Sequence, residues 1–125
     1  VIANVNPDSK VFREEIFGPV VCISPFKTDE EAIAGANDSR FGLASSVWSG
    51  DTEKAHKLAQ WINAGTVWIN TYGMFFDELP YGGFKESGFG KELGKEGLLE
   101  YTRLKNIIVD ATVGAKPLVH YWYGF

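Results

Sequence analysis

Short apolar segments typical of buried strands alternate along this chain with segments typical of amphipathic helices. Residues 1–5 and 20–23 are largely or wholly apolar, residues 41–48 alternate between two faces, and residues 66–70 are rich in β-branched and aromatic side chains. Helical patterns separate the later strands. Alternation of this kind predicts an α/β fold, with a layered, largely parallel sheet, flanking helices and right-handed crossovers. Residues 20–23 are expected to be buried on both faces.

Two helices are predicted from their caps. Thr28 can accept a hydrogen bond from the amide of Glu31, whose carboxylate can reach back, as in a capping box. Asp51 is expected to cap the next helix, and Gly65 to follow its end as the C′ residue. The apolar face of that helix comprises Ala55, Leu58, Ala59 and Ile62. A third helix is predicted over residues 91–101.

Composition excludes several classes of protein. A compact monomer of 125 residues and 13.8 kDa would expose roughly 6,600 Å², enough burial for one core. The net charge is −4 with acids and bases interspersed, which argues against nucleic acid and anionic membranes as partners. Cys22 is the sole cysteine, so a disulfide framework is excluded and a reducing, cytoplasmic location is predicted. No apolar run is long enough to cross a membrane.

Side chains with reactive potential have ordinary structural interpretations. Cys22 lies in an apolar run with no neighbouring base, which favours a small core residue over a reactive thiol. His56 lies off the apolar face of its helix, which favours a surface position. The glycines of residues 88–90 are followed by Leu93 where a dinucleotide loop needs its third glycine, and Phe89 stands where a Walker A loop needs lysine. We predict no metal site.

Residues 71–90 form a long segment without helix or strand periodicity. The segment holds five glycines and six aromatic residues, and it follows the end of a strand, where α/β sheets bind ligands. Loops of this length inside compact domains are usually functional. Two interpretations remain open: an aromatic-walled pocket for a small organic substrate, or a loop whose aromatic rings cover the edge of the core.

Four sequence blocks occur in a fixed order along the chain. They are residues 14–20 (E-E-I-F-G-P-V), 37–43 (N-D-S-R-F-G-L), 64–70 (A-G-T-V-W-I-N) and 80–94 (P-Y-G-G-F-K-E-S-G-F-G-K-E-L-G). Together they resemble the C-terminal part of the NAD(P)-dependent aldehyde dehydrogenase superfamily over roughly residues 1–110.

The resemblance implies a division of the chain into three parts. Residues 1–101 would be the C-terminal part of the catalytic domain, and residues 102–110 an oligomerisation strand. Residues 111–125 form an aromatic C-terminal tail that matches no block of the family. Because the chain also begins without Met, we expect a processed protein or a piece of a longer one.

The resemblance also implies roles for particular residues. In the family, the second Glu of the first block binds the hydroxyls of the nicotinamide ribose and the Phe lies against the nicotinamide, which assigns these roles to Glu15 and Phe17. Aromatic residues of the long loop surround the aldehyde, which points to Phe75, Phe76 and Tyr81. The implied cofactor is NAD or NADP, bound weakly or not at all by this chain alone.

The family's reacting groups have no counterpart among these residues. Its nucleophile is a Cys in a G-Q-x-C block, which does not occur here, and Cys22 lies in a different block. The family mechanism is thiolate attack on the aldehyde, hydride transfer and hydrolysis of the thioester. We therefore expect no catalytic residue in this segment and no activity from it alone. The small aldehyde would be a substrate of the full-length enzyme.

The final predicted strand covers residues 104–109. It begins at Leu104 and ends with the β-branched run Ile107, Ile108 and Val109. A strand at such a position is expected to be an edge that pairs with another chain, as a homo-oligomer. The alternative to an enzyme segment is therefore a stand-alone, non-enzymatic oligomerisation or interaction module with the same fold. An unrelated α/β ligand-binding domain is the third interpretation.

Overall fold

The computed structural model describes residues 1–111 and residue 114. Short strands and helices alternate broadly as predicted, with an additional helix at Lys10–Arg13 and an additional strand at Phe84–Lys85 in the segment predicted to lack both. Strands and helices in chain order are β1 (Ile2–Ala3), α1 (Lys10–Arg13), β2 (Cys22–Ile23), α2 (Asp29–Asn37), β3 (Phe41–Gly42), β4 (Ala44–Val47), α3 (Thr52–Ala59), β5 (Thr66–Ile69), β6 (Phe84–Lys85) and α4 (Gly94–Leu99).

Within the described residues the strands form three two-stranded sheets. Strands β1 and β2 pair in parallel, as do β4 and β5, whereas β3 and β6 pair antiparallel. The pairing of β4 with β5 extends over four residues, from Ala44 opposite Thr66 to Val47 opposite Ile69, and α3 packs on both strands. The α/β class and the predominance of parallel pairing are confirmed. The described residues form three separate sheets and not one layered, largely parallel sheet.

The predicted strand at residues 41–48 is divided between two sheets. Its first part pairs with β6 and its second with β5. At the division, the amide of Gly42 donates to Ser87 Oγ at 3.0 Å, while its carbonyl accepts from the amide of Gly65 at 3.0 Å. A Cβ atom on Gly42 would lie 2.8 Å from the carbonyl oxygen of Asn63. Three segments therefore meet at Gly42, next to the point where the pairing changes from β6 to β5.

The two predicted helix N-termini are confirmed. Thr28 caps α2 by accepting from the amide of Glu31 at 3.2 Å, and the carboxylate of Glu31 reaches back to the amide of Lys27 at 2.8 Å. Asp51 caps α3 by accepting from the amide of Lys54 at 3.0 Å. These side chains satisfy amides that have no partner within the helix.

Two predicted helix ends are wrong, and one helix was not predicted. Helix α3 ends at Ala59, so Gly65 is not its C′ residue. Helix α4 covers Gly94–Leu99 and not residues 91–101; it begins only after Leu93, whose backbone has a positive φ of 60°. Helix α1 is a single turn that follows Ser9, and its four residues are too few to show periodicity.

The chain buries far less surface than a compact monomer of its size. It exposes 10,664 Å², against the roughly 6,600 Å² expected. Among the described residues, the buried apolar side chains are Ala55 and Trp68. Residues 20–23 are not buried on both faces: Val21 is 56% exposed and Cys22 is half-buried. The predicted single core is therefore wrong, because the apolar faces lack covering layers within the described chain.

Residues 104–109 are not a strand in the structure. They pair with no other described segment, and the side chains of Leu104, Ile107, Ile108 and Val109 are exposed. A strand needs a neighbour for its backbone groups, and no backbone hydrogen bond joins this segment to a described strand. Pairing with a second chain stays a prediction. The predicted tail at residues 111–125 falls almost wholly outside the described residues. No described helix has the length and hydrophobicity needed to span a bilayer.

Candidate functional site

A cavity of about 160 Å³ lies between β5 and the long loop that follows it. Its lining includes the three predicted substrate-pocket residues, Phe75, Phe76 and Tyr81, together with Trp68 and Leu93. Every side chain that lines it is uncharged. We call it the aromatic cavity. The structure thus brings together all three loop residues implied by the resemblance.

The rings of the aromatic cavity pack edge to face. Phe75 and Tyr81 have centroids 4.8 Å apart and planes at 89°. Phe75 and Trp68 are 5.7 Å apart with planes at 88°. Perpendicular contacts of this kind bring the positive edge of one ring to the negative face of the next. The loop therefore has a defined aromatic arrangement despite its lack of periodicity.

Trp68 is the residue of this group that the sequence analysis did not single out. Its indole is 9% exposed, its Nε1–H donates to the carbonyl oxygen of Met74 at 2.8 Å, and its ring contacts Tyr72 at 5.2 Å. Two signals were present in the sequence. Trp68 lies on the strand directly before the loop, and buried indoles need a hydrogen-bond acceptor close by.

Backbone contacts fix the position of Tyr81 in the loop. Tyr81 and Glu92 exchange two backbone hydrogen bonds, each of 2.7 Å. The Nζ atom of Lys91 donates to the carbonyl oxygen of Gly82 at 2.8 Å and lies 4.9 Å from the ring centre of Phe84. The far end of the loop is thereby tied to the segment that leads into α4.

Glu15 lies at a second, larger cavity of about 530 Å³, whose lining includes Ser39, Phe41 and Glu86. The two carboxylates of the first sequence block differ. Glu14 forms an ion pair with Lys10 at 3.8 Å, whereas Glu15 makes no hydrogen bond or ion pair with any described residue. The free carboxylate is the one to which the resemblance assigns a role.

Phe17 is almost fully exposed, at 95%. It belongs to neither the aromatic cavity nor the cavity at Glu15. Residues 15–17 lie outside strands and helices, in the connection between α1 and β2. The structure therefore does not bring Phe17 together with the three loop residues.

An ion pair attaches α1, which directly precedes this connection, to the end of α2. The guanidinium of Arg13 donates to the carbonyl oxygen and to Oδ2 of Asp38, both at 2.8 Å. The hydrogen bond from Arg13 lowers the pKa of the Asp38 carboxyl, and the positive charge of Arg13 adds to this effect. The pKa of the Arg13 guanidinium is raised by the same hydrogen bond. Two residues after Arg13 the chain reaches Glu15.

The remaining reactive side chains lie apart from both cavities. The thiol of Cys22 is half-buried and donates to the carbonyl oxygen of Val11 at 3.5 Å. His56 is exposed on α3, as predicted. Among residues 1–111 and 114 there is no group of three or more His, Cys, Asp or Glu side chains placed to hold a metal ion.

The four sequence blocks match the family model described as "Aldehyde dehydrogenase family", which covers residues 1–107. The chain belongs to the aldehyde dehydrogenase family. The resemblance noted from the sequence is thereby confirmed.

Individual aldehyde dehydrogenases are similar over almost the whole chain. Betaine aldehyde dehydrogenase of Bacillus subtilis is 44% identical over 98% of the chain, and aldehyde dehydrogenase 1A1 of Gallus gallus is 48% identical over 87%. The chain covers 24% and 21% of these two relatives. It therefore spans about a quarter or less of the length of the relatives it matches.

A solved aldehyde dehydrogenase shares the fold. Betaine aldehyde dehydrogenase from Staphylococcus aureus, solved in complex with NAD+, superimposes with a TM-score of 0.77 at 49% sequence identity. The match covers 79% of this chain and 20% of that enzyme. The arrangement of strands and helices described above is thus an aldehyde dehydrogenase arrangement.

Proposed function

We propose that this chain forms part of the substrate pocket and nicotinamide site of an NAD(P)-dependent aldehyde dehydrogenase, which oxidises an aldehyde to a carboxylic acid. The family match over residues 1–107 is the observation that carries the proposal. The aromatic cavity and the free carboxylate of Glu15 support it, because both lie at positions to which the family assigns contacts.

The described residues fit the nicotinamide end of the cofactor. The carboxylate of Glu15 has no partner among the described residues and can accept hydrogen bonds from two ribose hydroxyls. The exposed ring of Phe17 offers an apolar surface to a flat heterocycle. When bound, the nicotinamide supplies hydride acceptance. The part of this chain is to hold and orient that end of the cofactor.

The aromatic cavity is proposed to receive the apolar part of the aldehyde. Phe75, Phe76 and Tyr81 line it, and no charged side chain does. Bringing an apolar substituent against these rings removes apolar surface from water, worth about 25 cal/mol for each Å² buried. An anionic substituent would lose its hydration there without gaining a partner, whereas a quaternary ammonium group could lie against the ring faces. The lining therefore favours aldehydes whose substituent is apolar or a weakly hydrated cation, and disfavours anionic ones.

This segment is proposed to contribute walls and contacts rather than the nucleophile. The thiol of Cys22 lies beside Val11, in a cavity that includes neither Glu15 nor the loop aromatic residues. We therefore expect the isolated chain to leave aldehydes unoxidised. Its affinity for NAD should be on the order of millimolar, because only one end of the dinucleotide is contacted.

A chimera tests the proposed function. The matching 24% of the Bacillus subtilis betaine aldehyde dehydrogenase is replaced by this chain, and aldehyde-dependent reduction of NAD+ and NADP+ is followed by absorbance. We expect oxidation of several aldehydes by the chimera and none by the isolated chain. The unaltered relative is the positive control. A chimera that folds and assembles like the relative but oxidises no aldehyde would contradict the proposal.

The exposed segment at residues 104–109 favours a second candidate, a non-enzymatic interaction module. Leu104 and the β-branched residues after it present apolar side chains to solvent, as a surface for another chain would. The coding sequence upstream of Val1 separates the two candidates. An in-frame extension with a G-Q-x-C block supports the enzyme, and a start codon immediately before Val1 supports the module.

A further inference from the structure

We propose that Trp68 is a positioning residue that fixes the aromatic wall of the aldehyde pocket. This inference rests on the proposed function, because it assumes that the aromatic cavity receives the aldehyde. Trp68 would act through Phe75 and Tyr81 and would not be a catalytic residue.

Trp68 is held in place more firmly than the loop residues it contacts. Its backbone lies in β5, opposite Ser46 of β4 in the four-residue parallel pairing. Its ring is 9% exposed, whereas Tyr72 is 75% exposed and Phe75 is 54% exposed. The two loop rings are therefore not fixed by burial. The ring of Trp68 is the buried surface against which they pack.

Three contacts join Trp68 to successive parts of the loop. The indole Nε1–H donates to the carbonyl oxygen of Met74, and the ring makes edge-to-face contacts with Tyr72 and with Phe75. The hydrogen bond fixes the backbone immediately before Phe75. Because one side chain contacts residues 72, 74 and 75, it determines both the path of the loop and the orientation of the Phe75 ring.

The ring of Phe75 in turn packs against the ring of Tyr81. Their rings are perpendicular and 4.8 Å apart, and they form a corner of the aromatic cavity. An aldehyde with a phenyl group presents far more apolar surface to these two rings than a two-carbon aldehyde does. Displacing Phe75 should therefore weaken binding of the larger substrate and leave the smaller one unaffected.

The test compares two substitutions in the chimera described above. Trp68→Phe keeps an aromatic ring but removes the N–H donor, and Trp61→Phe makes the same chemical change at a residue that is 71% exposed. We expect Trp68→Phe to raise KM for phenylacetaldehyde about tenfold, with kcat and the KM for acetaldehyde changed less than about twofold. Trp61→Phe should change neither KM.

A second readout does not depend on activity. Hydrogen–deuterium exchange of the backbone amides in residues 71–79 should become faster in Trp68→Phe than in Trp61→Phe, with exchange in α3 unchanged. Combining Trp68→Phe with Phe75→Leu should raise KM for phenylacetaldehyde by less than the product of the two single effects, since both variants break the same chain of contacts.

Three outcomes would overturn the proposal. The first is an equal change in KM or kcat for both aldehydes, and the second is exchange that is unchanged in residues 71–79. The third is loss of folding in Trp68→Phe itself, which would make Trp68 a purely structural residue. If the unsubstituted chimera oxidises no aldehyde, the proposed function fails, and the exchange comparison still decides whether Trp68 positions the loop.

Discussion

A Cβ atom on Gly65 would overlap the carbonyl oxygen of Gly82. The loop that carries Tyr81 thus crosses the start of β5 at a distance that excludes every side chain. Gly82 is also confined, since a Cβ atom there would lie 2.6 Å from the carbonyl oxygen of Gly90. The residues next to Gly65 and Gly82, Thr66 and Tyr81, line the aromatic cavity, so this packing of backbone on backbone lies beside it.

Alanine at Gly65 should therefore be strongly destabilising. We expect Gly65→Ala to lower the free energy of unfolding by about 3 kcal/mol, because either the loop or β5 must shift. The control is Gly35→Ala in α2, where a Cβ atom meets nothing within 4 Å. This substitution should raise the free energy of unfolding by about 1 kcal/mol, because alanine favours a helix more than glycine does. Urea unfolding of the three proteins measures both effects. Equal midpoints for Gly65→Ala and the unsubstituted chain would disprove the close approach.

Glu15 and Glu14 should differ in their effect on nucleotide binding. In the chimera, Glu15→Gln is expected to raise KM for NAD+ about tenfold or more, because a charge-assisted hydrogen bond to ribose becomes a neutral one. Glu14→Gln removes only an exposed pair with Lys10 and should change KM less than about twofold. Steady-state kinetics with NAD+ as the varied substrate measures both. A similar effect of the two substitutions would argue against a ribose contact by Glu15.

The ion pair between Arg13 and Asp38 should make stability depend on pH in the acid range. The pKa of Asp38 is lowered in the folded state, so the unfolded chain binds the proton more readily. The pair therefore stabilises the fold above the usual carboxyl pKa of about 3.9, and this contribution disappears as pH falls through the lower folded value.

Asp38→Asn isolates this contribution from that of the other carboxylates. The difference in unfolding free energy between the unsubstituted chain and Asp38→Asn should be constant from about pH 7 to about pH 5 and should shrink below about pH 4. Because the Asp38 side chain is exposed and that of Arg13 is partly exposed, high salt should reduce the difference at every pH. A difference that grows as the pH falls would contradict the lowered pKa of Asp38 in the folded state.

Self-association should depend on residues 104–109. Their exposed apolar side chains and unpaired backbone groups can form a strand with another chain. Size exclusion with light scattering at micromolar concentration should give dimers or larger species for the intact chain, and smaller species for a chain ending at Arg103. Ile108→Lys places a single charge within the segment and should likewise shift the chain toward smaller species. A monodisperse species of 13.8 kDa for the intact chain would refute this.

Local sequence patterns identified the features that local physics determines. The caps Thr28 and Asp51 were predictable because each accepts from an amide three residues ahead. The close approach of the loop to Gly65 was not predictable, because the atom that excludes a side chain there belongs to Gly82, seventeen positions away in sequence. The length of α4 was also missed, since the helix begins only after Leu93, whose positive φ the apolar periodicity on either side does not reveal.

The sequence predicted the aromatic residues of the candidate site more fully than it predicted the roles of the two carboxylates at residues 14 and 15. Phe75, Phe76 and Tyr81 were named from sequence blocks, and the structure places them at one cavity. Trp68 was missed because its importance comes from contacts with residues of the following loop, which strand periodicity does not reveal. Nothing in the sequence separated Glu14 from Glu15 except the resemblance. The structure adds that Lys10 engages only the first of them.

Strands β4 and β5 and the helix α3 between them follow one another in the chain, from Ala44 to Ile69. A ribosome therefore completes this unit before it releases the loop that carries Phe75 and Tyr81. Contacts between neighbouring segments form faster than those that close long loops, and synthesis from the N-terminus reinforces that order. The emerging aromatic residues would meet a strand pair and the Trp68 ring already in place. Synthesis from the N-terminus would thus allow β4, α3 and β5 to form first and the aromatic residues of the loop to pack against them afterwards.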